Sequence, residues 1–303
     1  GKQKRSVMSV MSNEGRKKMT DKLKESKLNS ATNSTVDAAR QMWMAGLGAF
    51  VRTGKEGGRL FSTLVEEGET FSDKTKLVLL NTPMNPTGKV FNLEELEQIA
   101  EQVLKYDAYA VCDEVYEHIV FGLSRHIPIA TLPGMGERTV RIGSAGKTFS
   151  LTGWKVGYVT GCTELIARIA KAHQFITFTT PPALQQAVAY GLNKDDEFYE
   201  KLQIDMQSKR NYFKYGLENA GFETAACDGT YFINVDIRSI GFSGTDEEFC
   251  RLIITEAGVA ALPVSAFYMS DNPENHFVRF CFCKREDVLS DAITRLSDFF
   301  SGK

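Results

Sequence analysis

The stretch Lys76-Leu77-Val78-Leu79-Leu80-Asn81, followed at once by Thr82-Pro83-Met84-Asn85-Pro86-Thr87-Gly88, decides how the chain is read. A short apolar run closed by a Pro/Asn/Gly turn is the pattern of a buried strand entering a loop. Leu93, Leu96, Ile99, Ala100, Val103 and Leu104 then recur at helical spacing, and Tyr109 to Cys112 forms a second apolar run ending in Asp113-Glu114. Thr139 to Ile142, ending in Gly143-Ser144, and Val156 to Thr160 are two more such runs. Apolar strands separated by helical stretches or loops predict an α/β class with a mostly parallel sheet flanked by helices. Ligands of such sheets sit beyond the carboxyl ends of the strands. Asn85, Asp113, Tyr116 and Ser144 all lie just past those ends.

Working outward toward the carboxyl terminus, the pattern changes near Asp195. A long polar helix is expected over Glu197 to Ala220, broken by Gly221. Strands are expected over Thr230 to Asp236, Val259 to Leu262 and Phe277 to Phe282, with helices over Asp246 to Ala257 and Arg285 to Phe300. These elements define an α+β module separate from the parallel sheet, so 76–194 and 195–303 are expected as two domains.

Toward the amino terminus the composition also shifts. The whole chain of 303 residues carries a formal charge of −2, but residues 1–76 hold 15 Lys/Arg against 9 Asp/Glu, or +6, leaving −8 for residues 77–303. Residues 1–35 are rich in Lys, Ser and Asn and nearly free of aromatic residues, so they lack the apolar area to offset ordering entropy and read as a disordered basic arm. No aromatic residues are interleaved there for base stacking, which argues against nucleic acid as a partner. Over 36–75, Val36, Ala39, Trp43, Leu47, Phe50 and Val51 recur at three- and four-residue spacing, one face of an amphipathic helix that its glycines weaken. No apolar run approaches the ~20 residues of a spanning helix. The six cysteines are sparse and irregularly spaced, which fits small buried hydrophobes in a reducing, cytoplasmic setting.

The segment richest in chemistry is Gly143-Ser144-Ala145-Gly146-Lys147-Thr148-Phe149-Ser150-Leu151-Thr152-Gly153-Trp154-Lys155-Val156-Gly157. A lysine among small residues directly after a strand is held against the sheet, where its surroundings can tune it for Schiff-base chemistry. Taken with Asn85-Pro86-Thr87-Gly88, Asp113-Glu114-Val115-Tyr116 and Val278-Arg279-Phe280, in that order, it resembles the class I and II aminotransferases of the aspartate aminotransferase fold over residues 77–303. Gly143 to Gly157 and Gly258 to Tyr268 look most like the kynurenine, glutamine and methionine aminotransferase group. Over about residues 36–70, Ala38 to Phe50 with Gly54-Lys55-Glu56-Gly57-Gly58 resembles the phasins, which coat polyhydroxyalkanoate granules, and implies a polymer granule surface as a partner of that segment.

The first resemblance implies pyridoxal 5'-phosphate as cofactor and a reaction that moves an amino group from an aromatic or sulfur-containing amino acid to a 2-oxo acid. Lys147 matches the lysine that binds the cofactor and then carries the substrate proton. Asp113 matches the partner of the pyridine nitrogen, and Tyr116 and Asn85 match donors to the phenolic oxygen. Ser144 and Lys155 match phosphate contacts, Lys155 standing where many relatives carry arginine. Arg279 matches the arginine that grips the substrate carboxylate, a group Asn85 also reaches. The family's homodimeric assembly is implied as well. The segment that precedes the Asn-Pro-Thr-Gly loop in family members is expected to be missing here, leaving a partial large domain that lacks half of the site, weak cofactor affinity and doubtful activity. Two other readings stay open: a granule-associated phasin-like protein carrying an idle transaminase fragment, and a pyridoxal phosphate-dependent cysteine-sulfur lyase, for which Lys147 and Arg279 would serve equally.

Overall fold

A computed structural model describes residues 75–268 and 274–301. The basic arm expected over 1–35 and, apart from Thr75, the helix expected over 36–75 lie outside the described residues.

Two four-stranded sheets organise the described chain. The first has the order β1 (Leu77–Asn81), β2 (Tyr109–Asp113), β3 (Thr139–Ser144), β4 (Gly157–Gly161). β1 and β2 pair in parallel with Leu77 opposite Tyr109, and β2 and β3 in parallel with Ala110 opposite Thr139. Helix α1 (Leu93–Lys105) makes the crossover from β1 to β2. Its first turn is fixed by a capping box in which Asn92 accepts from the Glu95 N–H and Glu95 accepts from the Asn92 N–H. That start sets the phase of the helix, so Leu96, Ala100 and Val103 turn inward onto Val78, Leu80, Ala110 and Cys112.

The fourth strand departs from the sequence expectation. It runs antiparallel to β3, with Gly143 opposite Tyr158 and Ser144 opposite Gly157. Only residues 145–156 separate β3 from β4, and they hold one helical turn (Ala145–Thr148) and one 3-10 turn (Thr152–Trp154). A parallel return usually needs an α-helix long enough to run back along the strand, and these two single turns instead fold the chain back on itself. Gly143 is demanded by that hairpin, because a Cβ there would lie 2.1 Å from the Tyr158 ring. Two helices not foreseen in the sequence follow, α2 (Thr163–Ile176) and α3 (Pro182–Leu192). α2 has no buried residue and α3 buries only Val188.

α4 (Asp196–Asn219) leads to the second sheet, ordered β5 (Glu223–Thr224), β6 (Phe232–Asp236), β8 (Phe277–Cys281), β7 (Leu262–Pro263) and antiparallel throughout. The helix expected over Asp246 to Ala257 divides into α5 (Asp246–Leu252) and a π-helical turn over Ile253–Ala257. The strand expected over Val259 to Leu262 is reduced to β7, because the Val259 N–H is taken by the Ile253 carbonyl as Gly258 ends the turn in the left-handed region. α6 (Glu286–Ser301) packs on α4 and closes a core that includes Phe213, Leu217, Phe249, Phe280, Phe282, Leu289 and Leu296. Tyr116, Ile119 and Phe121, which follow β2, belong to this core too, so the chain just past the first sheet is packed into the second.

Candidate active site

The carboxyl ends of β1, β2 and β3 bring together most of the residues the sequence singles out. After β1, the Asn81 side chain accepts from the Asn85 N–H at 2.8 Å and donates to the Asp113 carbonyl at 3.0 Å, tying the Asn85 loop to the end of β2. Gly88 closes that loop with φ +75° at a point where a Cβ would crowd the Gly229 carbonyl at 3.1 Å. Asn234 of β6 holds the loop from the other side by donating to the Pro86 carbonyl at 3.1 Å.

Asp113 ends β2, and one of its carboxylate oxygens accepts the Val115 N–H at 3.3 Å. Burial pushes its carboxyl above the ordinary carboxylate range, while the Val115 N–H and the Lys147 charge pull it back only in part. An acid with a raised folded-state pKa contributes stability below its unfolded pKa and loses it as pH rises through the folded value. Asp113→Asn, which cannot ionise, is therefore expected to withstand more urea than the parent at about pH 7, with the gap closing toward about pH 4. Urea midpoints of the two proteins at both pH values check this.

Lys147 lies in the helical turn immediately after β3, as its position among Gly and Ser residues implied. Its Nζ donates to the Tyr231 hydroxyl at 3.2 Å and stands 5.6 Å from the centre of the Tyr116 ring. Tyr116 and Tyr231 meet edge to face at 5.3 Å. The Tyr116 phenol is buried and flanked by Tyr231, both of which raise its pKa, so it stays a protonated donor at neutral pH. Tyr231 escaped the sequence reading, because its sequence separation of 84 from Lys147 is closed only by the tertiary fold. Its signal was an aromatic residue opening an expected strand.

Arg279, in β8, is 7% exposed and forms no ion pair among the described residues. Its guanidinium lies 3.8 Å over the Phe232 ring and 4.8 Å from the centre of Phe267, Nη1 donates to Asn85 Oδ1, and Nε has no hydrogen-bond partner among the described residues. Burial lowers its pKa from the ordinary value. A buried cation with an unmet donor and aromatic walls has the chemistry to receive a carboxylate. With Asn85 Oδ1 committed to Arg279, the amide NH2 of Asn85 is left to donate elsewhere.

The two expected phosphate contacts are placed differently. Ser144 caps the lysine turn, with its Oγ 3.3 Å from where a Cβ on Gly146 would stand. Lys155 is exposed, in the left-handed conformation at φ +56°, and its ammonium makes no hydrogen bond or ion pair among the described residues. The structure does not draw Lys155 into the cluster formed by the other residues.

Behind the site, Arg141 of β3 braces the loop that follows β2. Its Nε donates to Glu114 Oε2 at 2.6 Å and its Nη2 to Glu117 Oε2 at 2.9 Å. His126 Nε2 lies 3.0 Å from Glu114 Oε2, and the Tyr158 hydroxyl donates to Glu117 Oε1 at 3.0 Å. The Glu114 side chain is 1% exposed. This ionic brace went unnoticed in the sequence, where Glu114 and Arg141 are 27 residues apart.

The fold agrees with comparison to known proteins. The family model "Aminotransferase class I and II" matches residues 60–296, so the chain belongs to that family. The match begins sixteen residues before Lys76, inside the segment that resembles phasins, and the seam drawn from composition is not where family likeness starts. A kynurenine–oxoglutarate transaminase of Dictyostelium discoideum is 43% identical over 249 residues, covering 75% of this chain and 57% of that protein. Among solved structures, N-succinyldiaminopimelate aminotransferase from Mycobacterium tuberculosis superposes with a TM-score of 0.74 at 39% identity, covering 78% of this chain and 61% of that one. Escherichia coli YbdL, described as having a methionine aminotransferase function, gives 0.73 at 36% identity over 77% of this chain and 61% of that one. The chain thus spans about three-fifths of the length of the relatives it matches.

Proposed function

We propose that the chain is a pyridoxal phosphate-dependent aminotransferase that takes its amino group from an aromatic or sulfur-containing amino acid and passes it to a 2-oxo acid. The observation that carries this reading is Arg279, a buried guanidinium with an unmet donor, joined through Asn85, Phe232, Tyr116 and Tyr231 to Lys147.

The residues present fit the cofactor. Asp113 has one carboxylate oxygen on the Val115 N–H and its charge only partly compensated, which suits the N–H of a protonated pyridine ring. When bound, pyridoxal phosphate supplies an electron sink for the charge left as an amino acid loses its α-proton. Lys147 would attach the cofactor and, once displaced, move the proton at the substrate α-carbon, with the Tyr231 hydroxyl fixing the direction of its ammonium. Tyr116 and the Asn85 NH2 would donate to the phenolic oxygen and Ser144 would contact the phosphate, whereas Lys155, exposed and outside the cluster, would have to swing inward to reach it. Arg279 would take the substrate carboxylate by two parallel hydrogen bonds, while Phe232 and Phe267 keep water from them. The aromatic walls support an apolar donor side chain. Two sheets, each beside its own hydrophobic cluster, support a division into domains at 76–194 and 195–303. A homodimer in the cytoplasm is the setting this reading takes from its family, and no helix among the described residues is long and apolar enough to cross a membrane.

Titrating the full chain with pyridoxal phosphate should produce a near-visible absorbance band, and borohydride treatment followed by peptide mapping should find the label on Lys147. Absence of the band, or a label on another lysine, overturns the assignment.

A further inference from the structure

The six cysteines do not behave alike. Cys112, Cys227 and Cys250 are buried, as the sequence led one to expect, and burial pushes each thiol up to about 12. Cys281 and Cys283 are only partly buried, and their sulfurs lie 3.2 Å apart.

The closeness of these sulfurs is built by the backbone. Side chains two residues apart on a straight strand share a face but stand about 6.6 Å from each other. Here β8 ends at Cys281, and the Lys284 N–H bonds back to the Phe282 carbonyl at 2.8 Å, closing a three-residue turn centred on Cys283. The Phe282 N–H donates to the Tyr231 carbonyl at 3.0 Å and pins the base of the turn to the residue that precedes β6. The turn swings the second thiol back onto the first. Two sulfurs on a tetrahedral zinc ion would stand about 3.8 Å apart, given Zn–S bonds of about 2.3 Å, so the pair is closer than a shared ion would hold it, and about 1 Å of further approach would form a disulfide.

We propose that Cys281 and Cys283 are a redox-active dithiol, which a low-molecular-weight disulfide of the glutathione type oxidises to an intramolecular disulfide and a thiol reductant restores. The Cys283 sulfur at 3.2 Å, the nearby Cys283 N–H and the Lys284 and Arg279 charges hold Cys281 down to about 6 against the cost of burial. Cys283 keeps the shared proton, and its own pKa is raised accordingly. The Cys281 thiolate attacks one sulfur of oxidised glutathione; a protein–glutathione bond forms, the old sulfur–sulfur bond breaks, and one glutathione thiolate leaves. Cys283 then gives up its proton and attacks the Cys281 sulfur, forming the intramolecular bond and expelling the second glutathione thiolate. Two protein thiols are oxidised, one disulfide is reduced to two thiols, and the two protons pass to them. The site stands apart from the aminotransferase reading, although Arg279 shares its strand.

The full chain, equilibrated with oxidised glutathione, alkylated and digested with trypsin, tests this. Expected is the peptide Phe280–Lys284 lighter by about 2 Da and unalkylated, with the other four cysteines alkylated. Cys283→Ser should stop at a persistent glutathione adduct on Cys281. Cys281→Ser should leave Cys283 reacting about tenfold or more slowly than Cys281 does in the parent. Full alkylation of both residues in the parent, loss of thiols elsewhere, or equal reactivity of Cys283 in Cys281→Ser overturns the proposal.

Discussion

Arg279→Met should strengthen the fold and cripple recognition at once. The methionine keeps most of the volume between Phe232 and Phe267 but removes a buried charge whose Nε has no partner and whose pKa burial already lowers. Relieving one unsatisfied buried donor is worth about 1 kcal/mol or more, so the urea midpoint should rise. Losing a desolvated charge-assisted grip on a carboxylate costs about 2–5 kcal/mol, which is roughly 30-fold to several thousand-fold in affinity. With the cofactor bound, the concentration of amino acid that half-converts the near-visible band should climb by that factor. A variant that is destabilised, or that responds to amino acid as the parent does, would show that Arg279 serves packing and not the ligand.

Glu114→Ala should have the largest effect on stability. It takes away the carboxylate that receives Arg141 and approaches His126, leaving a guanidinium half-buried with only Glu117 to balance it. Breaking one member of a buried ionic network costs about 3–5 kcal/mol, whereas exchanging the pair for apolar groups can be nearly neutral. Urea denaturation should therefore show a loss of that size for Glu114→Ala and a smaller one for Glu114→Ala combined with Arg141→Met. A loss below about 1 kcal/mol for the single variant would mean that water already screens the brace.

What the sequence disclosed and what it withheld divide along a physical line. β1, β2 and β3 were legible as short apolar runs closed by turn or polar residues, although only the face carrying Val78, Leu80, Ala110 and Cys112 is buried and Leu79 and Tyr109 on the other face are exposed. Asn85, Asp113, Ser144 and Lys147 were found with them, since each follows directly from a strand end. The direction of β4 was not, because it depends on the compactness of the connection over 145–156 and not on the strand's own composition. Tyr231, Glu114 and Arg141 acquire their meaning only through partners far along the chain. The proximity of Cys281 and Cys283 depends on a backbone turn at a strand end, which periodicity reads as two side chains held apart. Lys155 shows the converse: its place in a motif was plain, yet its left-handed backbone and exposed ammonium leave it outside the cluster.

The hydrogen bonds of α2 have almost nothing beneath them. A helix of fourteen residues without a buried side chain draws its order from intrinsic propensity, which at that length is marginal in water. Its opening exposes little new apolar surface, so it need not wait for the rest of the molecule to unfold. The strands β1 to β3, over their own hydrophobic cluster, open only with the fold around them. Stability is thus graded along the chain: the site residues Asn85, Asp113 and Lys147 are anchored at its cooperative end, and α2 frays independently on a much faster clock.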